Sequence, residues 1–268
     1  MKLIDNLIKL KNKFFIPINP QDYPLAVFIV NYNMPERTDL LVEHLNEFEN
    51  WPMDIYVIDN GSDIERPSKY TNVYIKKNIQ TCRGWLKGLT EAKKTKKNYF
   101  AYMFLITSTK FEDAYNQIDL LMKFLIEHKN AVGIHPSLTK DSTTYWTHLL
   151  NRNRNKPRKT WMIDNIASIF RSDWFDSIGW FDKRMIYAWG IDLETCYIAR
   201  KQGRDIYVDD RVQVTKITNI GYKMNRMNME AEERVKLASD NMEEILSLKY
   251  GKDYLKIMLE DYVDESLR

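Results

Sequence analysis

Residues 55–63 read IYVIDNGSD: four residues suited to a buried strand, then Asp59, Asn60, Gly61, Ser62 and Asp63 without a break. A short apolar run closed by turn residues reads as a strand buried in a sheet, with its polar groups at the carboxyl end. Upstream, LAVFIV (25–30) is a second such strand, followed by the loop NYNMPERTD and by LLVEHLNEF at helical spacing. That is a β-loop-α unit, and its strand is apolar enough to be covered on both faces. Downstream come NVYIKK (72–77) as a shorter strand, GWLKGLTEAKK (84–94) as a helix and YFAYMFLI (99–106) as a strand ending at Thr107. AYNQIDLLMKFLIEHK (114–129) then reads as a helix and AVGIHP (131–136) as a fifth strand. Strands alternating with helices predict an α/β fold, a largely parallel, doubly wound sheet with helices on both faces.

The second half changes texture. TKDSTTYWTHLLNRNRNKPRKTWMI (139–163) is polar, basic and aromatic, and reads as an irregular excursion with short strands covering one end of the sheet. SDWFDSI (172–178) is predicted to be a short helix capped by Ser172, and DLETCYIARKQG (192–203) a helix stopped by Gly203. DIYVDDRVQVTKI (205–217) reads as a pair of strands, and residues 230–251 as an amphipathic helix.

The chain of 268 residues is 44% apolar, enough for one large core, and its net charge of +3 gives no global field toward nucleic acid. Cys82 and Cys196 are too few for a disulfide framework or a zinc site, so both are expected as free thiols in a reducing compartment. No apolar run approaches the ~20 residues of a membrane span, and a cytoplasmic protein is expected. The opening MKLIDNLIKLKNKFF carries an apolar helical face interspersed with Lys9, Lys11 and Lys13. It would either pack on its own domain or rest on a membrane surface through residues 1–15.

Asn31, Asp59 and Thr107 each follow a buried strand of the parallel half. In a doubly wound sheet such positions converge on one crevice at the carboxyl edge. There a carboxylate at Asp59 would accept from the N3–H of uracil, or from the N1–H and amine of guanine. Asn60, Gly61 and Ser62 would turn the backbone toward a ribose. The alternative for Asp59 is an Asx turn that merely ends the strand.

Four segments, in order over residues 25–216, resemble the family 2 glycosyltransferases of GT-A fold. VFIVNYNMPERTDLLVEHL is similar to their first strand and loop, YVIDNGSD to their nucleotide-recognising strand, and CRGWLKGLTEAK to the helix start after the third strand. SIFRSDWFDSIGWFDKRMIYAWGIDLETCYIARKQGRDIYV is similar to their acceptor-side block of Gly-x-Phe-Asp, acidic pair and glycine-ended helix. The resemblance implies an inverting transfer of a sugar from a nucleotide-diphospho sugar, UDP-linked first with GDP or dTDP as alternatives, to a hydroxyl acceptor in carbohydrate biosynthesis. It places Asp192 as the base that takes the acceptor's proton, where a helix N-cap is the alternative. It implies donor contacts at Asn31, Asn33, Glu36, Asp59, Asn60, Arg83 and Lys87. Acceptor contacts are expected at Trp180, Trp189 and Glu194. The implied organisation is an N-terminal helix and linker (1–23), a GT-A domain (24–222, its nucleotide half 24–136 and acceptor half 137–222) and a C-terminal helical extension (223–268).

The family's usual carboxylate motif after the fourth strand is missing. Thr107, Ser108 and Thr109 stand there, and a frequent second ligand falls near Thr215 or Lys216 instead of on a histidine. Hydroxyls alone are poor ligands for Mg or Mn, so a tightly held metal is not expected. Lys110 and Lys216 lie beside the two positions and would neutralise the leaving diphosphate. Glu112 and Asp113 are left as recruits for a metal or as the opening of the next helix. A second account of the missing ligands is a dead enzyme, a nucleotide-sugar binder or scaffold. The runs EAKKTKKN and NRNRNKPRK are solvated faces or, for the second, flanked by Trp146 and Trp161, a surface for an anionic acceptor: phosphorylated glycan, lipid-linked sugar or nucleic acid. His44, His128, His135 and His148 show no metal-ligand spacing.

Overall fold

The computed structural model describes residues 17–112, 114–217 and 229–259. The amphipathic opening and Asp113 lie outside them. Among the described residues nine strands form one sheet, β1 (Leu25–Asn31), β2 (Met53–Asn60), β3 (Val73–Ile75), β4 (Ala101–Ile106), β5 (Thr109–Phe111), β6 (Ala131–Leu138), β7 (Pro157–Thr160), β8 (Ala167–Arg171) and β9 (Asp205–Lys216). Seven α-helices accompany them: α1 (Pro35–Phe48), α2 (Thr81–Lys94), α3 (Gln117–Glu127), α4 (Ser172–Ser177), α5 (Ile191–Lys201), α6 (Ala231–Tyr250) and α7 (Tyr254–Leu259).

The sheet order is β3-β2-β1-β4-β8-β6-β9-β5, with β7 on β9. β1, β2, β3 and β4 pair in parallel, β8 enters antiparallel between β4 and β6, and β9 is parallel to β6. The chain therefore steps from β1 out to β3, then returns across β1 to β4. Right-handed crossovers then put α1 and α2 on opposite faces and leave a crevice at the carboxyl ends of β1 and β4. Both faces are covered: Leu25, Ala26, Val27, Phe28 and Ile29 are each 0% exposed. α2 lies close over β1 because Gly84 faces Val30 and Gly88 faces Phe28 and Ile58; a Cβ at Gly88 would come within 2.8 Å of Ile58 Cδ1.

Three local readings are corrected. Residues 205–216 form one strand rather than a pair, its register against β6 jumping from Pro136/Asp209 to Ser137/Gln213. The bulge is held by buried Asp209 and Asp210, which pair with Arg211 and Arg158. Ser172 is not a cap: it opens α4, and its hydroxyl donates to the Tyr99 carbonyl. The short strand β5, which pairs with β9, has no apolar signal of its own in TSTK and was not foreseen. Cys82 and Cys196 are free and buried. No helix among the described residues is long and apolar enough to cross a membrane.

Candidate active site

A cavity of about 610 Å³ opens at the carboxyl edge of β1 and β4. Val30 and Tyr32 leave β1 into it, Ile106, Thr107 and Ser108 leave β4, and Asn60 ends β2 beside it. The α2 entry supplies Asn78, Gln80 and Thr81; the excursion between β6 and β8 supplies Thr143–Trp146, Asp164 and Asn165. Tyr187, Trp189 and Asp192 come from the approach to α5, Lys216 from the end of β9, and Arg234, Ala238 and Met242 from α6. Helix α6 is thus a wall of the cavity, packed so closely that a Cβ on Gly190 would meet Met242 Cγ at 2.6 Å.

Of the residues expected from sequence, Asn60, Thr107, Ser108, Trp189, Asp192 and Lys216 line this cavity. Asp192 sits in the first turn of α5, 9% exposed, its Oδ1 accepting from the Leu193 N–H at 2.8 Å. Burial raises its pKa, the nearby Asp164 carboxylate raises it further, and the Lys216 charge works against the rise. Asp164 shifts upward as well, chiefly by desolvation and against Lys216. One cation therefore faces two carboxylates that hold protons more tightly than exposed acids do.

The other expected residues do not line it, for local reasons. The Asp59 carboxylate is occupied: Oδ1 accepts from Asn31 Nδ2 at 3.1 Å and Ser62 Oγ at 2.7 Å, and Oδ2 from the Ser62 N–H at 3.1 Å. The Asx turn weighed from sequence is what forms. Asn31 also accepts from the Met34 N–H and Thr38 hydroxyl, while Asn33 Oδ1 gathers the N–H groups of Asp63, Ile64 and Glu65. Together they fasten the β1 loop to the β2 loop. Glu36 is exposed at the start of α1. The turn at Gly61 (φ 73°) approaches the chain's own backbone at Lys77, 2.5 Å from where a Cβ would stand.

Arg83 donates to the Lys183 carbonyl and Lys87 pairs with Glu91 at 2.7 Å, both on the outer side of α2. Thr109 is buried and donates to the Ile166 carbonyl at 2.6 Å; Lys110, next in the strand, alternates to the exposed side. Glu194 lies two residues from Asp192 and so on the other face of α5. It accepts from Tyr250 Oη at 2.8 Å and pairs with Lys249. Trp180 donates to Asp176 at 2.7 Å, away from the cavity. In the basic run, Arg158 is buried against Asp210 and is structural.

Asp164, Tyr32 and Arg234 were missed. Asp164 stands in the irregular stretch before β8, where no periodicity marks it. Tyr32 donates to Asp63 at 3.0 Å; Arg234 lies over the Tyr187 ring and donates to Gln80 at 2.8 Å. Their entry into the site depends on long-range packing.

The end of β4 does not fit a divalent metal. It offers the Thr107 and Ser108 hydroxyls beside the Lys216 ammonium, which has no lone pair to give. Among the described residues no group of three or more His, Cys, Asp or Glu side chains could hold a metal ion.

With this geometry in hand, the architecture is a mixed α/β fold of GT-A type, and solved glycosyltransferases share it. GalNAc-T7 with UDP, GalNAc and Mn2+ aligns with a TM-score of 0.58 at 11% identity, over 89% of this chain and 54% of that one. The mannosyltransferase PcManGT from Pyrobaculum calidifontis, in complex with GDP-Man and Mn2+, aligns at 0.56 and 11% identity over 92% of this chain and 77% of its own. This chain spans about half the length of the first. Such identities show the fold. No family model and no curated protein matches the sequence.

Proposed function

We propose that the protein is an inverting glycosyltransferase that moves a sugar from a nucleoside-diphospho sugar to a hydroxyl acceptor. One observation carries this reading: a cavity at the switch point of the sheet holds a buried carboxylate, Asp192, within the field of one cation, Lys216, and is also lined by Thr107 and Ser108 of the turn between β4 and β5. A raised carboxylate pKa suits a general base that takes a proton from an alcohol near neutral pH. Asp192 removes the acceptor's hydroxyl proton as that oxygen attacks the anomeric carbon. The diphosphate leaves on the opposite face, and the configuration inverts.

Lys216 stabilises the negative charge that develops on the diphosphate, with Thr107 and Ser108 donating to its oxygens. Asn60 and Tyr32 border the nucleoside, with UDP the favoured donor and GDP or dTDP the alternatives. Asp59 serves this side indirectly by holding the turn behind Asn60. Tyr145 and Trp189, 92% and 37% exposed on the rim, offer ring faces to an acceptor sugar. The exposed Arg154 and Lys156 suit an acceptor that carries negative charge.

The test is a thermal-shift screen of UDP, GDP and dTDP and their sugar conjugates, with and without divalent ions, followed by product detection. Donor binding raises the midpoint by mass action. A screen in which no nucleotide stabilises the protein overturns the reading; binding without transfer to any acceptor favours a scaffold.

A further inference from the structure

Gln80, immediately before α2, has φ 69° and ψ 166°, a backbone conformation essentially confined to glycine. The surrounding structure enforces it. The Gln80 N–H donates to Asn78 Oδ1 at 2.8 Å, its carbonyl accepts from the Gly84 N–H at 3.0 Å, and the Ile79 N–H donates to Asn60 Oδ1 at 3.1 Å. Asn60 Nδ2 donates in turn to Asn78 Oδ1 at 3.1 Å, so the strained residue is fastened to the end of β2. Glycine would take this conformation without strain, yet a long amide stands here, and strain of this kind points to a use for the side chain.

That side chain is held by α6. Arg234 Nη1 donates to Gln80 Oε1 at 2.8 Å, with its guanidinium 5.0 Å from the Tyr187 ring centre. Arg234 lies one turn from Ala238, which is 2% exposed, and two turns from Asn241, which accepts from the Ile186 N–H and donates to the Arg184 carbonyl. A guanidinium only donates, so the atom facing it is the amide oxygen, and Nε2 is turned away from Arg234. Gln80 lines the cavity and is only half-buried; among the described residues nothing accepts from Nε2 or seals it from solvent.

We infer that Gln80 is a donor-binding residue whose Nε2 donates to the phosphate adjoining the nucleoside, and that α6 sets it in place through Arg234. The proposed site has the nucleoside beside Asn60 at the end of β2, and the departing phosphate beside Lys216 at the end of β9. The phosphate between them passes the entry of α2, where Gln80 and Thr81 stand. Its oxygens only accept, which suits an amide left with N–H groups to offer, and the Arg234 bond to Oε1 polarises that amide and strengthens its donation. The assignment rests on the glycosyltransferase reading and adds to it the residue that registers the inner phosphate.

The experiment is calorimetric titration of wild type, Gln80→Glu and Gln80→Gly with uridine, UMP and UDP, or with the guanosine series where the wild type prefers guanine. Gln80→Glu keeps an oxygen for Arg234 and loses the donor; Gln80→Gly removes the side chain and relieves the backbone. A hydrogen bond to a charged group is worth about tenfold to a hundredfold in affinity. Both variants should lose at least that much for UMP and UDP and bind uridine as wild type does, while Gln80→Gly unfolds at or above the wild-type midpoint. Equal losses for uridine overturn the inference, as does wild-type UDP affinity in Gln80→Glu. A Gln80→Gly protein that unfolds well below wild type overturns it too, because the side chain then serves packing. In each of these cases the glycosyltransferase reading survives. No nucleotide binding by wild type overturns both.

Discussion

Asp164 lines the same cavity as Asp192, and its charge adds to burial in raising the Asp192 pKa. The two residues arrive from different parts of the chain, one from the irregular entry to β8 and the other from the first turn of α5. Lys216 faces both and restrains the shift. A carboxylate so placed is a stronger base than an exposed aspartate and is not fully neutralised, because the cation is close.

The base has a pH signature. Asp192 must be ionised to accept a proton, so turnover rises with pH, with a midpoint above the ordinary aspartate value of about 3.9. Asp192→Asn lowers kcat by about 10²–10⁴, with donor affinity nearly unchanged. Asp164→Asn removes a neighbouring negative charge and moves the midpoint of the surviving activity downward. Steady-state rates from pH 4 to 9 check both, and an Asp192→Asn enzyme with retained turnover excludes Asp192 as the base.

Lys216 is expected to do electrostatic work that the β4 terminus cannot do through a metal. Lys216→Met leaves Thr107 and Ser108 in place but removes the charge, and should lower kcat by about 10²–10³. Wild-type activity should persist after chelation with EDTA. A strict manganese requirement that survives chelator controls would show that Lys216 does not take the metal's part.

The parallel half of the sheet was legible because LAVFIV, IYVI and AYMFLI are runs that only a sheet covered on both faces accommodates. The helix carrying Asp192 was legible too, because Gly203 stops it. Sequence alone could not show which polar residue at a strand end faces the cavity. Asp59 and Asn60 are neighbours, yet the pleat and the Asx turn direct the first to Ser62 and leave the second at the cavity. Asp164 and Asn165 carry no periodic or turn signal, and Arg234 sits on a helix whose period was legible while its docking was not; their positions follow from the β4–β8 register and from α6 closing over Gly190. Lys110 and Lys216 look alike in sequence. Alternation along β5 exposes the first, while the end of β9 delivers the second to the site.

Glu49 supplies a stability test that is independent of function. It follows α1, is 7% exposed, and its two oxygens accept from the N–H groups of Gln117 and Ile118 at 2.9 Å each, closing the start of α3. Burial outweighs those two bonds and pushes its pKa up to about 7. The folded state therefore holds this proton more tightly than the unfolded chain, whose glutamate titrates near 4.3. The stability tied to protonation is fully present below that value and is lost as pH rises through about 7, at up to ~1.4 kcal/mol per pH unit. Glu49→Gln keeps the shape and removes the titration, at a constant cost of about 1–3 kcal/mol for turning an amide donor toward a backbone N–H. Between pH 4.5 and 7 the wild type should lose stability relative to this variant, so the gap between them narrows. Urea unfolding at pH 4.5, 6 and 7.5 measures it; parallel curves would mean that the carboxylate is already ionised throughout, held so by the amino end of α3.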